Sequence, residues 1–233
     1  TLRENVVSLA RNIGYLPRSK RSSRANVSFT VDMSGTDART VKLLAGQVAL
    51  GAVTDGNYIF SIPEDITTPV NSDGTAIFDN LPIYEGVFLT STFVVDESQT
   101  NQRFVIPNVN VDTTSIRVKV TNSVTEVYSA YDNILDVGKD SRIFLIQEVD
   151  EAKYEIRFGD DIIGKKPSNG STIEVTYIVT NGTSGNGATN FTFSGRLKDN
   201  NLFDVTTGIS LLITQSKSES GDEIESIDSI KYF

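Results

Sequence analysis

Alternation of apolar and polar positions runs through most of this chain and predicts strands. Val27, Phe29, Val31 and Met33 alternate with polar residues up to a turn at Ser34-Gly35-Thr36-Asp37. Further strand-like runs cover Val41 to Leu44, Gln47 to Leu50, Asn57 to Ile62, Ala76 to Phe78 and Ile83 to Val95. Beyond Pro107 the pattern resumes at Ser115 to Thr121 and Arg142 to Gln147, with a short strand and a helical turn expected within Thr125 to Val137. Thr172 to Thr180 is the longest clean strand. Ile173, Val175, Tyr177 and Val179 are expected on one face, Thr172, Glu174, Thr176 and Ile178 on the other. Upstream of it, Tyr154, Ile156 and Phe158 alternate with Glu155 and Arg157. Gly159-Asp160 then turns the chain, and Ile162-Ile163 reads as a return strand, so a β-hairpin is expected. The glycines between Asn181 and Gly187 predict a loosely restrained arm after it.

Apart from the helical turn expected within Thr125 to Val137, helical spacing occurs at the two ends. Leu2, Val6, Leu9, Ala10 and Ile13 form one stripe, so residues 1–17 read as a short helix, with Thr1 and Glu4 spaced as a capping box. Gly14 and Pro17 supply the stop. A helix this short is marginal alone, so its stripe packs either on its own β domain or in a bundle with other helices. At the other end, Ser216 to Gly221 reads as a polar linker, and Ile224, Ile227 and Ile230-Lys231 as the start of a helix. The expected class is mainly β, with antiparallel sheets in one elaborated or two small β domains flanked by these helices. Residues 25–106 together with 190–215 would form an outer β domain. Residues 107–183 would form an inserted one, and 216–233 a linker leading into the C-terminal helix.

Composition narrows the chemistry. The 233 residues contain no cysteine and no histidine. Without those two side chains most zinc and copper sites are excluded, as are Ser-His and Cys-His nucleophilic pairs. A net charge of −9 argues against a general nucleic-acid surface. No apolar run is long enough to span a membrane, and no cationic segment followed by an apolar stretch opens the chain. The first residue is Thr1 rather than Met, and we expect a piece of a longer protein. Arg18, Lys20, Arg21 and Arg24 make the one basic cluster, which reads as solvated or as facing an acidic neighbour.

Asp160-Asp161 is the nearest thing to a carboxylate site, yet adjacent turn residues point apart and do not form an acid-base dyad. A calcium site there would lack the EF-hand pattern. Gly185-Asn186-Gly187 has no phosphate-loop lysine after it. Tyr58, Tyr84, Tyr128, Tyr131, Tyr154 and Tyr177 lie on or near strands and read as core or cross-strand partners. A sugar-binding platform would need several of them on one exposed face. No cofactor and no metal is expected.

The order Phe158-Gly159-Asp160, Gly164-Lys165, Pro167, Gly170, Ile173, Tyr177 and Gly185-Asn186 resembles the signature of the baseplate-J-like family, the wedge proteins of T-even-type contractile-tailed phages. The chain departs from it at Asp161, where a second glycine usually stands. Residues Thr1 to Pro17 resemble the segment that joins N-terminal helices to the β region in such proteins. The tail resembles the family's linker and following helix, without its double glycine. The resemblance implies a non-enzymatic structural part of the virion tail baseplate, assembled in the host cytoplasm. It also implies a second copy of the protein per wedge, and contacts with other wedge and sheath-proximal baseplate proteins. No nucleic acid or membrane partner is implied. Leu2, Val6, Leu9 and Ile13 are then the candidate interface. Two other classes stay open: a carbohydrate- or receptor-binding β module, and a hydrolase built on two facing carboxylates.

Overall fold

The computed structural model describes residues 2–12, 15–131 and 137–231. The chain forms two compact units, each assembled from separated segments. One comprises residues 1–20, 89–179 and 223–233; the other comprises 21–88 and 180–222.

The first unit is built on a seven-stranded sheet. Its strands are β7 (Val87–Val94, in this unit from Leu89), β8 (Phe104–Val105), β9 (Val111–Thr121), β10 (Thr125–Ala130), β11 (Ile143–Glu148), β12 (Tyr154–Phe158) and β13 (Thr172–Val179). Their order is β7-β13-β9-β10-β11-β12-β8. The described pairings are antiparallel except β10 with β11. Val118, Val120, Phe144, Ile156, Ile173, Val175 and Tyr177 converge on one core. The sheet is curled: Phe93 on one edge strand meets Phe104 on the other, ring centroids 5.7 Å apart.

Tyr154–Phe158 is a strand, as its alternation predicts, but its hairpin partner is the preceding strand, β11, across a turn closed by Val149 N on Lys153 O at 2.8 Å, and not Ile162-Ile163. β12 pairs with β11 and β8, while β13 pairs with β9 and neighbours β7. Residues Ile162 and Ile163 form a bend instead of a return strand, and are 76% and 44% exposed. With no buried face, these two isoleucines have nothing to hold them in a ladder. Ile178, expected opposite Tyr177, is buried like it, because the register of β13 against β9 shifts between Thr176 and Ile178.

The second unit holds two sheets around one core. The six-stranded sheet comprises β1 (Arg24–Asp32), β3 (Gly46–Val53), β4 (Gly56–Ile62), β6 (Thr75–Glu85), β14 (Asn190–Phe193) and β17 (Ile213–Glu219), in the order β14-β3-β4-β6-β1-β17. The four-stranded sheet comprises β2 (Thr40–Leu43), β5 (Ile66–Pro69), β15 (Leu197–Asp199) and β16 (Asp204–Val205), in the order β16-β15-β2-β5. Val27, Phe29, Val31, Phe60 and Ile83 from the first meet Val41, Leu43 and Leu197 from the second. Phe29 and Phe78 stack at 4.7 Å within that core.

Ser216–Glu219, expected as linker, is the second half of β17. Its polar side chains mark a strand with a solvated outer face. Ser218 closes the sheet: its N–H donates to Ala188 O at 2.9 Å and its carbonyl accepts from Gly187 N at 2.7 Å. The arm expected to be loose is therefore tied down at this point.

The N-terminal helix, α1, spans Leu2–Asn12, and Tyr15 N donates back to Ala10 O at 3.0 Å beyond its end. Val7 and Ala10 pack with Ile230 of a short helix, α2 (Ile227–Ile230), inside the first unit. The predicted stripe is split. Val6 is half-buried, whereas Leu2 and Leu9 are 62% and 68% exposed. Thr1, Ile13 and Gly14 lie outside the described residues, as do residues 132–136 of the stretch Thr125 to Val137 in which a helical turn is expected.

Candidate functional site

The signature residues split between the two units, and in each they hold backbone together. After β12, the Asp160 carboxylate turns back on its own loop and accepts from Ile162 N at 3.0 Å and Ile163 N at 2.9 Å. These two backbone donors hold its pKa below the usual aspartate value. Asp161 takes up φ +67°, a left-handed conformation that Asp tolerates. Its side chain accepts from Lys166 N at 2.9 Å and its own N–H reaches Gly164 O at 3.0 Å. The backbone thus keeps the shape that a glycine would favour, with a carboxylate added as a cap. The two aspartates serve separate turns.

Gly159 and Gly164 touch through their backbones: a Cβ on Gly159 would lie 2.1 Å from Gly164 O. Lys165 extends from this turn to Glu126, with Nζ 2.8 and 2.7 Å from its two oxygens. Arg142 binds the same carboxylate at 2.8 Å. Lys165 first, then Arg142, pull the Glu126 pKa down. Phe158 meets Phe104 and Tyr128 edge-on. Pro167 is buried, and Gly170 N donates to Val95 O at 2.8 Å. Tyr177 is 1% exposed, its hydroxyl 2.6 Å from Asn108 Oδ1 and 2.9 Å from Ser91 Oγ.

In the second unit Gly185 and Asn186 surround a buried carboxylate. Glu85, at the end of β6, is 0% exposed. It accepts from Thr180 Oγ1 at 2.5 Å, Asn181 N at 3.0 Å and Asn181 Nδ2 at 2.8 Å. Gly185 sits against it, and Gly185 O accepts from Ser218 Oγ at 2.6 Å. Asn186 and Gly221 exchange two hydrogen bonds, each 2.9 Å.

The basic cluster meets acids of its own chain. Lys20 pairs with Glu223 at 3.0 Å, Arg21 bridges Asp222 through the backbone, and Arg18 N donates to Glu225 at 2.9 Å. Arg24 lies over the Tyr84 ring. Glu225 is a second hub: Tyr15 OH reaches both its oxygens at 2.9 and 2.8 Å, and Ser229 Oγ donates at 2.7 Å. Arg3 joins α1 to this hub through Glu225 O at 2.6 Å and grips Glu148 with two bonds of 2.8 and 2.9 Å.

A groove of about 730 Å³ opens in the first unit beside β8 and β12, with Asp96, Glu97, Asp150 and Glu155 among its lining. Three of these carboxylates are engaged. Arg103 holds both oxygens of Glu155 at 3.0 Å, Lys166 holds Glu97 at 2.8 Å, and Asp96 caps Ser98 N at 3.0 Å. Among the described residues no group of three or more Asp or Glu is placed to hold a metal ion. Tyr128, Tyr154 and Tyr177 are core residues, so the strand tyrosines do not share an exposed face.

No family model matches the chain. It is 24% identical to the baseplate wedge protein gp6 of Enterobacteria phage T4 in an alignment 221 positions long that covers 88% of this chain. The chain resembles a phage baseplate wedge protein. It spans about a third, 33%, of the length of this T4 relative. The match reaches across the segments of both units rather than the signature alone. Sequence reading missed Glu85 and Glu225, two carboxylates that each join segments distant in sequence. The available signals were faint: Glu85 closes an apolar run before Gly86, and Glu225 follows the Asp222-Glu223 pair.

Proposed function

We propose that this chain is a structural part of a phage tail baseplate wedge, a stiff β-rich spacer that acts through protein–protein contacts and carries out no reaction. The observation that carries this reading is the use to which the signature is put. Gly159, Asp160, Gly164, Lys165, Tyr177, Gly185 and Asn186 each join one piece of backbone or core to another. A signature of that kind specifies shape. The T4 wedge protein supports the same role by similarity.

Leu2 and Leu9, which α1 turns to solvent, belong to the surface that meets other wedge proteins or a second copy of the full-length protein. Purified virion tails provide the test. Electron microscopy of tails, with this chain traced in the baseplate density, is the expected result. Absence of the protein from purified tails, or turnover of a substrate by the purified chain, would overturn the reading.

A further inference from the structure

The outer face of β6, β1 and β17 carries an apolar strip with no part in the networks above. Along β1, Val27, Phe29 and Val31 point into the core, so Ser28, Thr30 and Asp32 point out. Residues paired across antiparallel strands share a face. Thr30 pairs with Ile77 of β6. On its other side Thr30 exchanges two bonds with Ser210, from Ser210 N to Thr30 O and from Thr30 N to Ser210 Oγ, each 2.9 Å. Ser28 pairs with Ile213 of β17.

Val31 bridges Ile209, so the four steps from Ile209 to Ile213 face only three from Val31 to Ser28. The extra residue makes a bulge. Ile209 and Leu212 turn to the core, and Leu211 is left outside it. Ile77, Leu211 and Ile213 are 45%, 90% and 61% exposed.

Single exposed aliphatics are ordinary on protein surfaces. Here Ile77 and Ile213 stand on one sheet face and Leu211 projects from the bulge next to Ile213, with Thr30, Ser28, Ser210 and the Gln215 side chain, which donates to Ser28 Oγ at 3.0 Å, among them. Exposed carboxylates stand at its margins: Asp32 at the end of β1, and Asp79, which accepts from Ser28 Oγ at 2.7 Å. A second copy laid face to face would bring these carboxylates together, and an anionic surface would be repelled. A partner with cations beside its apolar residues satisfies both features.

We infer that this strip docks a segment of a neighbouring protein that presents aliphatic side chains flanked by lysine or arginine. The neighbour's identity as an assembly partner rests on the structural role proposed above. Overlapping peptides covering the other structural proteins of the same virion tail provide the probe. The whole chain is applied to them as wild type, as Leu211→Asp with Ile213→Asp, and as Asp32→Asn with Asp79→Asn. Peptides with clustered aliphatics beside Lys or Arg are expected to bind. The aspartate pair is expected to weaken them about tenfold or more, and the asparagine pair is expected to reduce the salt dependence of binding.

All substituted side chains are exposed, so the thermal melt should stay unchanged and separates lost docking from lost folding. Absence of any such peptide, or binding indifferent to Leu211→Asp, overturns the inference. So does self-association in sedimentation that Leu211→Asp abolishes, which would assign the strip to a second copy. If the protein is present in purified tails yet no peptide binds, the docking strip falls and the structural role stands. If it is absent from tails, the structural role falls, and peptide binding still decides the strip.

Discussion

Thr180 donates its hydroxyl to Glu85 at 2.5 Å, and the next residue, Asn181, reaches the same carboxylate with both its backbone and its side-chain nitrogen. A carboxylate that is 0% exposed has lost its water, and these three donors replace it. The segment following β13 is fixed to the end of β6 by this contact. An arm whose glycines suggest freedom is thereby turned into a defined part of the second unit.

Substitution of Glu85 should show how much of the unit depends on that contact. Glu85→Ala leaves the buried Thr180 hydroxyl without its acceptor and frees the two nitrogens of the exposed Asn181, and should cost about 1–3 kcal/mol. Glu85→Gln keeps one acceptor oxygen but turns an NH₂ toward the donors, so a smaller loss of about 1–2 kcal/mol is expected. Chemical denaturation of the two variants measures the difference. Equal stabilities for Glu85→Ala and wild type would show that the contact is dispensable.

The glycines of the signature should not behave alike. A Cβ at Gly159 would lie 2.1 Å from Gly164 O, and one at Gly185 would lie 2.5 Å from Glu85 Cγ. The first neighbour is backbone and cannot swing aside, so Gly159→Ala should cost about 3 kcal/mol or more. At Gly185 a buried, bonded side chain must give way, and a loss of about 2–3 kcal/mol is expected. Gly170→Ala meets open space at φ +78° and should cost only about 1 kcal/mol of backbone strain. Melting temperatures of the three variants should fall in that order.

Strands with one buried face were legible in the sequence, because alternation records burial directly. Val27, Phe29 and Val31 in β1 and Ile173, Val175 and Tyr177 in β13 are examples. Pairing was not legible. Tyr154–Phe158 has the composition of a hairpin strand, yet its partners are Ile143–Glu148, upstream in sequence, and Phe104–Val105. Nothing local marks the preceding Ile143–Glu148, and not the following Ile162-Ile163, as the partner across the turn. Ser216–Glu219 failed for a different reason, since an edge strand with a solvated face has the composition of a linker. The α1 stripe was legible at Val6 and Ala10, which pack with Ile230, but it missed Val7 and included Leu2 and Leu9, which face away from that contact. As for the candidate site, the signature gave its residues, while Glu85 and Glu225 emerged only once distant segments were brought together.

The clasp at Glu225 should set a pH window. Burial alone would raise this carboxyl's pKa, but the bonds from Arg18 N, Ser229 and Tyr15 together outweigh it and hold the pKa below the usual glutamate value of 4.5. A lowered folded-state pKa stabilises the fold above the unfolded value, and this stabilisation is lost as pH falls through the folded one. Tyr15 has the opposite shift. Burial first, then Glu225, raise it above 10.0, so its contribution is present below that pH and is lost as pH climbs through the raised value. Stability measured against pH should decline at both ends. Glu225→Gln should flatten the acid limb, and Tyr15→Phe the alkaline one.

Tyrosine ionisation offers a second readout, one of core integrity. Burial, with the Glu126 charge behind it, pushes Tyr128 up to about 12, and Tyr154 is raised further by burial and by Glu148. Alkaline titration followed by ultraviolet absorbance reads their ionisation. Tyr128 and Tyr154 should ionise only together with unfolding. A single smooth transition for all eight tyrosines would contradict the burial of these two.

The N-terminal helix allows folding and assembly to be told apart on one element. Val7 is 4% exposed and packs on Ile230, whereas Leu9, two residues on, is 68% exposed. Val7→Ala should therefore loosen α1 and cost about 1–2 kcal/mol. Leu9→Ser removes no contact of the folded chain and should leave its melt within about 0.5 kcal/mol of wild type. If Leu2 and Leu9 meet a neighbouring wedge protein, the pair Leu2→Ser and Leu9→Ser should fold normally and yet fail to enter assembled baseplates. Co-sedimentation of full-length variants with tail precursors measures this. Normal incorporation of the double serine variant would confine the role of α1 to its packed side, where Arg3 already ties it to Glu148 and Glu225.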